Sequence, residues 1–146
     1  STFSQDFKSL EENSYRGNYI GKVKARITTL NSLVEKHGVP KYCKIDVEGF
    51  EKKVLAGMSR KIPYVSFEFH RENLDDAKYC VKHLSSLGKA SFNYTHHDPT
   101  KSPMCSDRWL TGYELFEKIE NEPKSIIDAT GDINFYRVGD IFAKLD

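Results

Sequence analysis

Long hydrophobic runs are missing from this chain, in which no uninterrupted apolar stretch exceeds three residues. That excludes a membrane-spanning helix, which needs about 20 predominantly apolar residues, and the apolar core of a signal peptide. Cysteine is scarce and odd in number: Cys43, Cys80 and Cys105 show no Cys-x-x-Cys spacing. A disulfide framework or a cysteine-based metal scaffold is therefore not expected, and a reducing cytoplasm is the expected compartment. An excess of charge is missing too, since 22 Lys and Arg oppose 21 Asp and Glu for a net charge of +1. This balance argues against nucleic acid as a partner and against a polybasic membrane-surface module. Repeats and low-complexity tracts are also absent. What remains is 146 residues, room for one domain with its own core and little more. The chain opens on Ser1 rather than Met, which reads as a piece of a longer protein.

Taken in order, Ser1 to Asn18 is polar with scattered aromatics and no clean period, a loop or ragged helix. Val23, Ala25 and Ile27 alternate with Lys24 and Arg26 and predict a half-exposed strand. Thr29 is placed to cap a helix with an apolar face of Leu30, Leu33 and Val34, which Gly38 ends. Tyr42 to Val47 predicts a short strand; Phe50, Val54, Leu55 and Met58 then fall at helical spacing, with Gly57 as the stop. Pro63 to Phe69 carries bulk on both faces and predicts a buried parallel strand. Asn73 opens a helix bearing Ala77, Cys80, Val81, Leu84 and Leu87, ended by Gly88. Ala90, Phe92 and Tyr94 alternate as a further strand, and His96 to Arg108 reads as a long loop. Thr111 and Glu114 form a capping box for a helix with Leu115, Phe116 and Ile119. Ile133 to Val138 and Ile141 to Leu145 can pair as a hairpin across Gly139-Asp140. Alternating strands and helices predict one α/β domain over residues 1–146 with a mainly parallel sheet.

The chain is organised around Asp46-Val47-Glu48-Gly49, where a strand runs into a helix. In an open α/β sheet the carboxyl ends of the strands are where ligands bind. Asp46 and Glu48 are two residues apart, so a continued strand would lean both to one side. Glu68 and His70 share a side of the next strand by the same argument, and the four together are the candidate catalytic set. His70 titrates near neutral pH and is suited to accept a proton. Each has a plainer reading: Asp46 and Glu48 as helix-entry acids, Glu68 as a partner of Arg71 or a lysine, and His70 as the start of a loop. His96, His97 and Asp98 carry metal-binding side chains, but adjacent residues in a polar loop seldom point at one ion, and a solvated loop is the reading preferred.

Lys44-Ile45-Asp46-Val47-Glu48-Gly49, followed by Glu51, Val54-Leu55 and Gly57, closely resembles the signature of the FkbM-type methyltransferases. Thr29-Leu30-Asn31-Ser32-Leu33 is similar to the Thr-Leu-Asp-x-Leu of that family, with Asn31 in place of Asp. Ser66-Phe67-Glu68-Phe69-His70 looks like its next strand, and Gly139-Asp140-Ile141-Phe142-Ala143 like its last. The resemblance runs from about Thr28 to Ala143 and covers the second half of such an enzyme. It implies a Rossmann-like methyltransferase sheet from its fourth strand onward, mainly parallel with an antiparallel last strand. It also implies S-adenosylmethionine as cofactor, Asp46 beside the methyl donor, and a small-molecule or glycan hydroxyl as acceptor. The family's Gly-rich cofactor turn has no counterpart, because Gly17 and Gly21 flank Asn18-Tyr19-Ile20 without an entering strand or a leaving helix. In the family sheet the cofactor-binding first strand stands beside the strand at Tyr42 to Val47. That edge is therefore expected to be covered by a second copy, by an N-terminal half, or by Ser1 to Ile27 folded back.

Two other functions remain open on sequence. One is a hydrolase using Mg²⁺ or Mn²⁺ held by Asp46, Glu48, Glu68 and His70, an oxygen-rich set that suits those ions. The other is a non-catalytic fragment that needs a partner.

Overall fold

Alternation settles the sheet. In β6, Val138–Leu145, the residues Gly139, Ile141, Ala143 and Leu145 are buried, while Val138, Asp140, Phe142 and Lys144 are half-buried. The computed structural model describes residues 27–96, 104–123, 125–127, 133–135 and 137–146. In chain order before β6 come α1 (Leu30–His37), β1 (Tyr42–Ile45), α2 (Glu51–Ala56) and β2 (Tyr64–His70). A 3₁₀ turn (Arg71–Asn73) leads to α3 (Leu74–Ser86), β3 (Ala90–His96), α4 (Gly112–Asn121), β4 (Ser125–Ile127) and β5 (Ile133–Phe135).

The main sheet has the order β1-β2-β6-β3. β1 and β2 pair in parallel, whereas β6 pairs antiparallel with both β2 and β3. β1, β2 and β3 thus share one direction and the last strand opposes them, an arrangement compatible with part of a Rossmann-like sheet. The expected antiparallel last strand is present; because β6 inserts between β2 and β3, one of the three pairings among the described residues is parallel and the sheet is mixed. Gly139 lets that insertion happen. A Cβ there would sit 2.1 Å from the Thr95 carbonyl oxygen and 2.8 Å from Phe69 Cε1. The possible hairpin does not form: Gly139 and Asp140 lie inside β6, the last strand that the family resemblance placed at Gly139 to Ala143, and β5 pairs with β4 in a separate two-stranded sheet.

The local signals largely hold. The Thr29 hydroxyl accepts the Ser32 amide at 3.2 Å, and Gly38, at φ 85°, ends α1 by donating to Val34 O. Of the expected α1 face only Val34 is buried, and Leu33 is 42% exposed. The Thr111–Glu114 capping box opens α4 as expected. β1 stops at Ile45, two residues short of the predicted end, because the chain turns at Glu48 and Gly49. The core lies on one face of the sheet, where Phe67, Phe69, Ile141 and Tyr94 join Cys80 and Leu84 of α3 and Leu115 and Ile119 of α4. Fully burying each large apolar side chain stabilises by about 1.5–3 kcal/mol. That leaves the other face and the strand ends free for polar groups. Among the described residues no helix is long and apolar enough to cross a membrane. The expected strand over Val23, Ala25 and Ile27, apart from Ile27 itself, and the segment Ser1 to Asn18 lie outside the described residues.

Candidate functional site

The β1–α2 turn is built by backbone conformation first. Glu48 takes φ 54° and Gly49 φ 89°, two successive left-handed residues, of which the second strongly favours glycine. The turn aims the Val47 and Gly49 amides at Glu51, whose Oε1 accepts them at 3.1 Å and 3.3 Å. Glu51 is 8% exposed and sits in the first turn of α2, where a carboxylate also meets the positive end of the helix dipole. Sequence reasoning saw Glu51 only as a member of a motif; its distance of two residues from Gly49 was the available signal. Because Glu48 lies in this turn rather than in a strand, the period-2 argument that paired it with Asp46 does not apply.

Beyond the turn, the strand ends align acids on the polar face. Lys44 stands opposite Ser66, and Glu68 stands opposite Asp140, which in turn faces Thr95 of β3. The Lys44 ammonium pairs with Asp140 and reaches Asp46 Oδ2 at 4.0 Å. Asp46 therefore holds the longer contact, and 53% of its side-chain surface is exposed. An exposed carboxylate at a strand end, held among the described residues only by that long contact, can meet a cation or a hydroxyl. Asp140 and Lys44 were not among the expected site residues, because Gly139-Asp140 had the look of a turn.

His70 Nε2 lies 3.3 Å from Glu68 Oε2, as their spacing of two along β2 predicts. The hydrogen bond that the imidazole donates to Glu68 is the chief cause raising His70 above its ordinary pKa; burial opposes it, and the charges of Glu68, Glu51 and Glu48 add to it. The structure thus gathers Glu48, Glu51 and Glu68 around His70, while Asp46 belongs with Lys44 and Asp140. Gly49, Glu51, Glu68 and His70 border a cavity of about 50 Å³, room for water rather than for a nucleoside. A larger groove of about 470 Å³ runs along β1, lined by Leu30, Leu33, Val34, Val39, Tyr42 and Ile62 among others. Among the described residues β1 pairs only with β2, so its other edge opens onto this groove.

The candidate metal set of a hydrolase does not assemble. Among the described residues, no three of Asp46, Glu48, Glu68 and His70 bring ligating atoms within 4.8 Å of one another, and that alternative is not favoured. The reading of His96 as a solvated loop residue also needs correction: it ends β3 and is 8% exposed. Alternation through Phe92 and Tyr94 carries it to the core face, a period that its polar side chain hid. His97 and Asp98 lie outside the described residues.

The family model of the methyltransferase FkbM domain matches residues 1–100. The chain belongs to this family. The match takes in the Asp46–Gly49 turn, β1, β2 and β3, so the acids around His70 sit inside an FkbM methyltransferase domain. No curated protein and no solved structure matches the chain.

Proposed function

We propose that this FkbM domain serves an S-adenosylmethionine-dependent O-methyl transfer to a hydroxyl of a small molecule or glycan. Family membership sets the reaction class, and the observation that carries the finer reading is the exposed Asp46 carboxylate just past β1 and the Glu68–His70 pair ending β2, at the carboxyl ends of two parallel neighbouring strands. The described residues fit the cationic, methyl-bearing end of the cofactor, because Asp46 offers negative charge with solvent access. They include no Gly-rich turn for the nucleoside end, and the groove along the open edge of β1 is where such a contribution would have to join.

When bound, the cofactor supplies an electrophilic methyl group on a sulfonium. Asp46 opposes that positive charge and orients the acceptor, which is where an in-line displacement gains most of its rate. His70 accepts the proton of the acceptor hydroxyl at the ring nitrogen that does not face Glu68, while Nε2, buried against Glu68 Oε2, lets that carboxylate stabilise the imidazolium that results. Glu51 keeps the turn in place by holding the Val47 and Gly49 amides. Glu48 contributes to the field at His70.

The test is an amide-shift titration of the 146-residue chain with S-adenosylmethionine. Affinity weaker than micromolar, less than about 8 kcal/mol, is expected from an incomplete nucleoside site. Shifts should cluster at Asp46 to Gly49 and shrink in Asp46→Asn. Shifts confined to other elements would overturn the assignment, and none at all would favour a non-catalytic fragment.

A further inference from the structure

On the opposite face of the sheet from the carboxylate row, three ligating side chains of different kinds meet. His96 ends β3, Glu122 follows the last residue of α4, and Cys105 lies on the segment that leads into α4. One ligand atom from each lies within 4.8 Å of the other two. His96 Nε2 and Glu122 Oε2 are 2.7 Å apart. His96 is buried, while Cys105 and Glu122 are half-buried, so the cluster is open on one side.

Each member is held by the fold. The Cys105 amide donates to Tyr94 O at 2.8 Å, which fixes the thiol alongside β3. The Tyr94 hydroxyl donates to Glu122 Oε1, leaving Oε2 directed at His96. Arg71 donates to the carbonyls of Ile119, Glu122 and Pro123 at 2.6–3.0 Å and so fastens the end of α4. Its positive charge faces those carbonyls, and the C-terminal end of a helix carries the partial negative charge that favours a cation.

We propose that His96, Cys105 and Glu122 form a binding site for a zinc-class divalent cation. The ligands would be imidazole Nε2, thiolate Sγ and a carboxylate oxygen, with the fourth position taken by water. A thiolate and an imidazole select zinc-class ions over magnesium or calcium. Bonds of about 2.0–2.3 Å in a tetrahedron set donors roughly 3.3–3.7 Å apart, so His96 and Glu122 separate slightly as the ion replaces the proton between them. The Cys105 thiol proton leaves to solvent in the same step, and the proton displaced from His96 Nε2 leaves to solvent or is taken up at Nδ1, so that the imidazole binds as the neutral ring. Tyr94 then acts from the outer shell, orienting Glu122. The cysteines gave no spacing signature because the three ligands come from three separate elements. This site stands apart from the methyl-transfer reading, and its role is to fasten the end of β3, the Cys105 segment and the end of α4 together.

The experiment is a Co²⁺ titration of the reduced 146-residue chain, read by absorption. One equivalent should produce a thiolate-to-cobalt charge-transfer band in the near ultraviolet, and Zn²⁺ should displace it. Cys105→Ser should abolish the band, whereas Cys43→Ser should leave it. Glu122→Gln, nearly isosteric, should weaken Zn²⁺ binding by at least about tenfold, with circular dichroism confirming that both variants fold. No band at stoichiometric Co²⁺, a band that survives Cys105→Ser, or unchanged affinity in Glu122→Gln would each overturn the proposal.

Discussion

His70 Nε2 stands 3.3 Å from Glu68 Oε2 at the carboxyl end of β2. The contact raises the imidazole above its ordinary pKa of 6.5 despite partial burial. Removing the acid should therefore lower it. In Glu68→Gln the His70 titration, followed by proton NMR of the imidazole, should move to lower pH. The sign for stability follows from the same shift. A raised folded pKa contributes stability that is fully present below pH 6.5 and is lost as pH rises through the folded value. Wild-type chain should lose stability over that window, and His70→Gln should flatten the slope. An unchanged imidazole titration in Glu68→Gln would show that the pair is not coupled.

Glu51 satisfies two amides of the Asp46–Phe50 turn. Glu51→Ala should destabilise by about 1–3 kcal/mol, because the Val47 and Gly49 amides lose their acceptor. Glu51→Gln keeps an oxygen in place and should lose less. Urea unfolding of the three chains checks the order, and equal midpoints for wild type and Glu51→Ala would remove Glu51 from its holding role.

Gly139 is the second backbone test. A methyl group there meets the Thr95 carbonyl at 2.1 Å, a contact with backbone that no rotamer change relieves. Gly139→Ala should cost at least about 1–3 kcal/mol, the range for overpacking. The contrast is Gly38→Ala, which meets nothing within 4 Å and suffers only from its φ of 85°. A thermal scan in which Gly139→Ala melts like wild type would contradict the insertion of β6 between its neighbours.

Signals that close within three or four residues were legible in the sequence. The Thr29 cap and the Thr111–Glu114 box are side chains meeting backbone a turn away, and both were anticipated. Glu68 and His70 were paired correctly because a strand has period two. The Lys44–Asp140 pair was not legible, since its partners are 96 residues apart and only β6 brings them together. The shared side expected of Asp46 and Glu48 did not hold, because nothing in a glutamate announces a left-handed φ. Gly139 was ambiguous for a physical reason: glycine marks both turns and close approaches, and here it marks the second.

Asp46 is the residue on which the proposed chemistry depends most. In a protein containing this domain that shows methyl-transfer activity, Asp46→Asn should lower turnover by at least about 10²-fold, the scale of positioned acid–base help. Its 53% exposure means that folding should be nearly unaffected. Turnover at the wild-type level would reduce Asp46 to a helix-entry acid.

The open edge of β1 carries the last prediction. Tyr42 to Ile45 pair on one side only among the described residues, and Leu33 and Val39 expose 42% and 51% of their surface along the adjoining groove. An unpaired strand edge beside apolar side chains invites another chain. Lys44 is the one charged residue within β1, and its ammonium is engaged by Asp140, so it guards the edge poorly. The 146-residue chain should therefore self-associate as its concentration rises. Leu33→Lys, which places a charge in the groove without entering the core, should shift sedimentation toward the monomer. If the wild-type chain sediments as a monomer at every concentration, the edge is not an interface between copies. If Leu33→Lys leaves an observed dimer intact, the interface lies on another face.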